Sequence, residues 1–351
     1  MKTKTFLTKL TKWEYWPSYM FYVPIIPYFL YRALKAKHLI FYLAANPGIK
    51  YSGNGTESKY KTILLIPEKH RPKTVFIKIG EDFASIQDKI ENEGISFPLI
   101  AKPDIGFRGF LVQKINDFEA LKKYFYKNDV DIIIQEFVDY KNECGILYSR
   151  IPGQSQGAIT SVTLKKFLTI TGDGISNLSD LILNDKRARV YYDYLKSVHK
   201  EHMNSILEKD QEEIISVIGN HARGTQFING NHLIDDELVA MLDHLNKRIE
   251  GWFYGRLDIK YDTFEKVKKG QDFKILEING IIAEPTHIYD PTTGATYFEA
   301  LRTLVQHWRI IAEIAVTNHK KNNVPYPKII PYLKEISWLR TYSKKLKRLN
   351  K

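Results

Sequence analysis

Two late segments, GRLDIKYD (residues 255–262) and FKILEIN (273–279), constrain this chain more than any other part of it. Successive residues of a strand point to opposite faces, so Arg256, Asp258 and Lys260 share one face while Leu257 and Ile259 share the other. In the second segment Glu277 and Asn279 share a face, with Ile275, Leu276 and Ile278 in apolar company. The connection TFEKVKKGQD is polar, so the two segments are expected to pair as an antiparallel hairpin. That pairing sets Asp258 beside Glu277 and Asn279 on a polar face backed by an apolar one. Two close carboxylates repel, and one is driven to take up a proton unless a cation intervenes. Two carboxylates and an amide oxygen are hard ligands that suit Mg²⁺, and Arg256 adds a fixed positive charge for a phosphate or oxyanion. A salt-bridged exposed face centred on Arg256 is the other reading of the same residues.

The stretch FPLIAKPDIGFRGF (97–110) places Lys102 at the end of an apolar run and then breaks the run with Pro103 and a loop holding Gly106 and Gly109. It reads as a strand, a turn and a second strand over 110–115. Between it and the late hairpin lies IIIQEFV, an apolar strand ending in Gln-Glu. Further strands are expected at 39–44, 74–79, 98–102, 131–138, 144–151 and 158–171. Helices are expected at DFASIQDKIENE, ending at Gly94, at 117–127 with Asn116 or Asp117 as cap, and from Tyr297 to Thr317. Residues 177–250 read as mostly helical, broken by a loop at 219–232. Strands early, helices inserted and strands returning late predict an α+β architecture rather than a regular βαβ alternation.

The net charge of +12 is informative once located. Residues 1–38 carry seven Lys/Arg against one Glu and residues 321–351 nine against one, which leaves the body slightly negative. A near-neutral body excludes a nucleic-acid grip through the globular part, and basic ends point to an anionic surface such as membrane lipid. The segment YWPSYMFYVPIIPYFLY (15–31) has no charged side chain, and Pro17, Pro24 and Pro27 interrupt it. Three readings fit it: an interfacial membrane contact, an apolar flap packed on the body, or a short span. Leu333, Ile336, Leu339, Tyr342, Leu346 and Leu349 step by threes and fours among basic residues, the pattern of a basic amphipathic helix, free or docked. One cysteine, Cys144, excludes an internal disulfide and a cysteine-based metal site, and suits a reducing cytoplasm.

From about Glu57 to about Thr296, the order of these elements resembles the ATP-grasp superfamily, especially carboxylate–amine ligases such as D-alanine–D-alanine ligase. TGDGISNLSDLI is similar to a stretch found in glutathione- and cyanophycin-synthesising relatives. The resemblance implies two α+β lobes clasping ATP: a truncated N-terminal region (1–58), a small lobe (59–138), a large lobe with the metal site (139–320) and a basic C-terminal helix (321–351). It implies nucleotide lysines at Lys59, Lys102 and Lys165 (or Lys166), and a phosphate flap of Gly106, Arg108 and Gly109. The hinge would run through Gln135 on the cofactor side, with Glu136, Phe137 and Val138 reading adenine and Glu143 for ribose. Arg256 and Lys102 take catalytic roles, and Asp258, Glu277 and Asn279 hold Mg²⁺ or Mn²⁺.

The implied activity is ATP-dependent joining of a carboxylate to an amine through an acyl-phosphate, in the cytoplasm and at its membrane surface. Two features depart from the pattern. Only some sixty residues precede the ATP-binding region, and after LEIN the chain reads GIIAEPTHIYDPTTG, so a different substrate pocket is expected. Arg150, Arg223 and Glu284 are its candidate substrate residues. The rival readings are a phosphotransferase that stops at phosphorylation and a non-catalytic ATP-binding membrane adaptor.

Overall fold

A computed structural model of the chain describes residues 11–106, 109–216, 219, 221–290 and 292–349. Eleven strands lie among them. β1 (Thr74–Ile77), β2 (Leu99–Pro103), β3 (Gln113–Ile115) and β4 (Ile132–Glu136) form an antiparallel sheet in the order β1-β4-β2-β3. β5 (Asn142–Ser149), β6 (Ala158–Lys166), β9 (Gln226–Asn229), β10 (Tyr254–Tyr261) and β11 (Phe273–Asn279) form a second, in the order β11-β10-β5-β6-β9. β7 (Leu168–Thr171) and β8 (Glu212–Ser216) make a separate ribbon. The α+β class expected from the sequence is the class observed.

Local chemistry sets the helices that cover the first sheet. Asp82 accepts from the Ala84 and Ser85 amides to start Phe83–Glu93, and Gly94 ends that helix at φ +66°, where a side chain would be strained. Asp117, one of the two expected caps, opens Phe118–Lys127 by accepting from the Ala120 amide. Ile86, Ile90, Leu121 and Phe125 from these helices fill the face of the first sheet. The C-terminal helix Ile329–Leu349 reaches the same core through Leu346, which is fully buried, so the basic amphipathic helix is docked along this face.

The second sheet is dry on both faces at one end. Leu257, Ile259 and Tyr261 pack with Leu238, Leu242 and Leu245 of the helix Asp236–Asn246. On the opposite face, Leu147 and Tyr254 meet Ile311, Ala312 and Ala315 of the long helix Tyr297–Lys321, whose start carries a capping box of Thr296 and Glu299. Farther along β10 that second face loses its helix, and Arg256, Asp258 and Lys260 emerge there.

Several local expectations are corrected. Residues 39–44 do not form a strand; Phe41–Ala44 is a 3₁₀ turn buried against the long helix, an outcome that an apolar hexamer's pattern does not distinguish. The stretch 158–171 is two strands that part at Phe167, β6 pairing with β9 and β7 with β8. The region 177–250 contains β8 and β9 as well as helices, and of 110–115 only Gln113–Ile115 is strand.

The aromatic segment breaks at its prolines into Tyr19–Tyr22, Val23–Ile25 and Ile26–Ala36. Phe21 and Ile25 are buried against Ile288, Ala300 and Leu304, as the packed-flap reading expects, while Val23, Ile26, Leu30 and Leu34 stay exposed. Among the described residues no helix is long and apolar enough to cross a membrane, which removes the span reading for this segment.

Candidate active site

The two sheets face each other across a cleft of about 1310 Å³, and β10 and β11 form its floor. The hairpin pairs as expected, with Arg256 opposite Asn279 and Asp258 opposite Glu277. A bulge follows: Ile259 pairs with Ile275, leaving Leu276 as the extra residue. Strict alternation would have put Ile275 on the face of Glu277. The bulge instead sends Ile275 into the core, and Leu276 lines the cleft beside Glu277.

Arg256 grips the carboxylate two residues along its own strand, its Nε 3.1 Å from Asp258 Oδ1 and its Nη2 3.2 Å from Oδ2. Asn279 donates to the same carboxylate at 2.8 Å, and Lys165 at 3.0 Å. Burial alone would raise the Asp258 pKa. The Arg256 and Lys165 charges outweigh that and hold the carboxyl well below the usual carboxylate range. Gly145 on β5 makes this packing possible, since a Cβ there would lie 2.7 Å from Arg256 Cδ. Lys165 also donates to Glu143 at 2.7 Å, and these two carboxylates overcome burial to raise its pKa.

Lys59 reaches the site from the loop before the first sheet. Ser52 and Gly53 carbonyls accept from the Ile281 and Ile282 amides, which locks that loop to the exit of β11. Ser58 then caps the short helix Lys59–Leu64, and the Lys59 ammonium pairs with Glu277. Lys102 comes from β2 in the other sheet. Its Nζ is buried and donates to Gln135 Oε1 at 3.1 Å, and Gln135 is fixed in turn by Thr74. Burial pushes the Lys102 ammonium down to about 8 despite the pull of Glu277. It is a desolvated cation that makes no ion pair among the described residues.

The strand end of β4 and the residues after it, Glu136 to Tyr140, line the cleft between the sheets. Lys260 donates to the Val138 carbonyl at 3.2 Å, and Lys114 stands 4.0 Å from the centroid of the Phe137 ring. Gly106 and Gly109 also line the cleft, whereas Arg108 lies outside the described residues. The structure therefore brings Lys59, Lys102, Gln135, Glu136, Phe137, Val138, Glu143, Lys165, Arg256, Asp258, Glu277, Asn279 and Glu284 to one cavity. Two of the expected substrate residues are not among the described lining. Arg150 hydrogen-bonds Asn246 and stacks on Phe253, and Arg223 is buried over the Tyr194 ring at 4.3 Å.

Sequence reasoning missed the other wall. Glu14, Tyr15, Trp16 and Phe21 line the cleft, so the N-terminal segment reaches across the chain to close it. Glu14 pairs with Arg187 at 3.1 Å and with His221 at 3.0 Å. Burial opposes its ionisation, but the His221 bond and the Arg187 charge together lower its pKa. The only available signal was that Glu14 is the sole acid among the first 38 residues. Asp258, Glu277 and Asn279 fit a hard divalent ion that completes its shell with water and phosphate oxygens. Among the described residues no three His, Cys, Asp or Glu side chains gather into a cage of their own.

No family model and no curated protein matches the sequence. The chain is similar to solved structures of a bifunctional glutathione synthetase from Pasteurella multocida (14% identity, TM-score 0.39), the VanG D-Ala:D-Ser ligase from Enterococcus faecalis (14%, 0.44) and a D-alanine–D-alanine ligase from Bacillus anthracis (12%, 0.42). The matches cover 72%, 76% and 78% of this chain, and 35%, 64% and 72% of those chains respectively. These are enzymes of the kind that the sequence resembles. At such low overlap, what this chain does rests on the residues of its own cleft.

Proposed function

We propose that the chain is an ATP-dependent ligase that joins a carboxylate to an amine. The observation that carries this reading is Lys102: a buried ammonium with no ion-pair partner among the described residues, facing a cleft where three further cations already stand on carboxylates. Nucleotide phosphates would supply the missing negative charge. Phe137, Val138 and Tyr140 offer apolar and aromatic surface that suits the base, and Glu143 would take the ribose.

On this reading a substrate carboxylate oxygen bonds to the γ-phosphorus as the bond to the β,γ-bridging oxygen breaks, releasing ADP. The amine nitrogen, as the free base, then bonds to the acyl carbon, the acyl–oxygen bond breaks, and the departing phosphate takes up the amine's proton. Lys102 and Lys59 position the phosphates. Arg256, fixed by its two bonds to Asp258, offers the guanidinium edge that neutralises the tetrahedral oxyanion. Asp258, Glu277 and Asn279 are the residues that would hold Mg²⁺ or Mn²⁺, whose charge would offset that of the phosphates. The N-terminal segment covers the far wall and excludes water from an acyl-phosphate.

The four regions bounded at residues 58, 138 and 320 serve as strap, small lobe, large lobe and tie between them. The exposed apolar side chains on Ile26–Ala36, with Lys35 and Lys37 beside them, support a cytoplasmic protein resting on anionic lipid.

The test is ATP-dependent phosphate release across pooled amino acids, small acids and amines, with Asp258→Asn as the blank. Release that requires both an acid and an amine is the expected result. Release that ignores the amine would establish the phosphotransferase instead, and MgATP binding with no release for any acid or amine would leave the adaptor.

A further inference from the structure

Beside the cleft lies a second cavity of about 340 Å³, a volume that suits a small organic ligand. Tyr22, Tyr42, Tyr254 and Trp308 supply aromatic walls, so the N-terminal segment, the 3₁₀ turn, β10 and the long helix all contribute. Its described lining contains no Lys and no Arg. The one carboxylate is Glu284, which receives the Tyr22 hydroxyl on Oε1 and the Tyr289 hydroxyl on Oε2 at 3.0 Å. Burial, reinforced by the Glu284 charge, raises both phenols, so both stay as donors. Each carboxylate oxygen keeps a free lone pair, and among the described residues Glu284 has no ion-pair partner. His307 adds a buried imidazole that contacts the Tyr254 hydroxyl at 2.9 Å. Burial lowers its pKa to about 4, so the ring is neutral and brings no charge to the cavity.

A carboxylate without a cation, set among electron-rich ring faces, is complementary to an organic ammonium. A lining without basic side chains is a poor host for a carboxylate or phosphate. Glu284 and Ile282 line both this cavity and the main cleft, and the Glu284 charge is felt at Arg256. An ammonium held by Glu284 therefore sits at the doorway to the atoms that Arg256 faces.

We propose that this cavity is the acceptor subsite and that the amine substrate carries an apolar or aromatic body, its head on Glu284 and its body among Tyr22, Tyr42, Tyr254 and Trp308. As an acceptor site it rests on the ligase reading; as an amine site it stands on its own lining. Small polar amino acids would leave these walls unfilled, which separates this chain's acceptor from an amine with a carboxylate beside it.

The probes are 2-phenylethylamine, its neutral analogue 2-phenylethanol and the anion 3-phenylpropionate, titrated calorimetrically into the full chain. The amine is expected to bind with a Kd below about 1 mM, at least about tenfold tighter than either analogue. Glu284→Gln should weaken it by about tenfold or more. Ala283→Leu, which fills the cavity from a buried wall position, should do the same without touching the carboxylate. MgATP affinity and thermal midpoint, measured on each variant, show that the fold is intact. Equal binding of amine and alcohol, amine binding unaffected by both substitutions, or no amine binding up to about 10 mM by a protein that binds MgATP would each overturn the proposal. If the amine binds as expected and MgATP does not bind, the ligase reading fails and the amine site stands.

Discussion

Lys102 couples nucleotide binding to pH. Its ammonium is pushed down to about 8 in the free protein. Bound phosphates favour the charged form and raise that value, so the complex holds a proton that the free protein has begun to lose above pH 8. Linkage then fixes the sign: MgATP affinity is full below pH 8 and falls as pH rises through it, by up to about tenfold per unit for one proton. Lys102→Arg keeps its charge over this range and should flatten the profile, whereas Lys102→Ala should cost about tenfold to a hundredfold in affinity at pH 7. Calorimetric titration of MgATP between pH 6.5 and 9.5 measures both. An unchanged slope in Lys102→Arg would assign the proton elsewhere. Lys102 could be marked from the sequence because it ends an apolar strand before a glycine loop. Its want of an anion could not, because that depends on Glu277 being taken by Lys59, 43 positions earlier in the chain than Lys102.

At the scale of elements, the face of β10 is set by its neighbours. Arg256 lies flat across β5 because position 145 has no side chain, and its guanidinium is thereby presented to Asp258 and the cleft. Gly145→Ala would place a methyl within 2.7 Å of Arg256 Cδ, so the arginine must move off its two bonds. The expected result is a loss of about tenfold to a hundredfold in kcat, with overpacking costing about 1–3 kcal/mol of stability and MgATP affinity within a few-fold of the parent. Steady-state rates and a thermal melt check this, and unchanged kcat would remove Arg256 from the chemistry. The hairpin itself was legible in residues 255–279, since period-2 alternation determines which side chains share a face. The bulge at Leu276 was not, because three consecutive apolar residues give no sign of which one is left unpaired.

Across the whole molecule, the basic ends are used differently from each other. The C-terminal helix turns part of its apolar stripe to the core, Tyr332 packing with the long helix and Leu346 with the first sheet and so tying the two sheets' cores together, while Leu333 stays exposed. The N-terminal helix Ile26–Ala36 buries Ala33 and leaves Leu30 46% and Leu34 79% exposed, with Lys35 and Lys37 nearby. Lipid contact should therefore run through the N-terminal helix. The double variant Leu30→Glu, Leu34→Glu should leave the melting temperature nearly unchanged, since both positions are on the surface, and should abolish co-sedimentation with phosphatidylserine vesicles at 0.15 M salt. Equal sedimentation of the variant would remove the N-terminal helix from lipid contact without touching the cleft.

The sequence by itself determined what alternation and capping determine: the polar face of Arg256, Asp258 and Lys260, the apolar faces beneath it, and the helices begun by Asp82, Asp117 and Thr296. These are local, because backbone geometry repeats every two or 3.6 residues whatever surrounds it. Only the tertiary structure decided that Lys59 meets Glu277, that Lys165 meets Asp258, that Glu14 closes the cleft on Arg187 and His221, and that Glu284 faces an aromatic cavity. Those partners lie 218, 93, 173 and 207 residues apart for the first four pairs, in the order given. Packing of whole sheets and helices brought them together, and nothing in the spacing of residues along the chain encodes it.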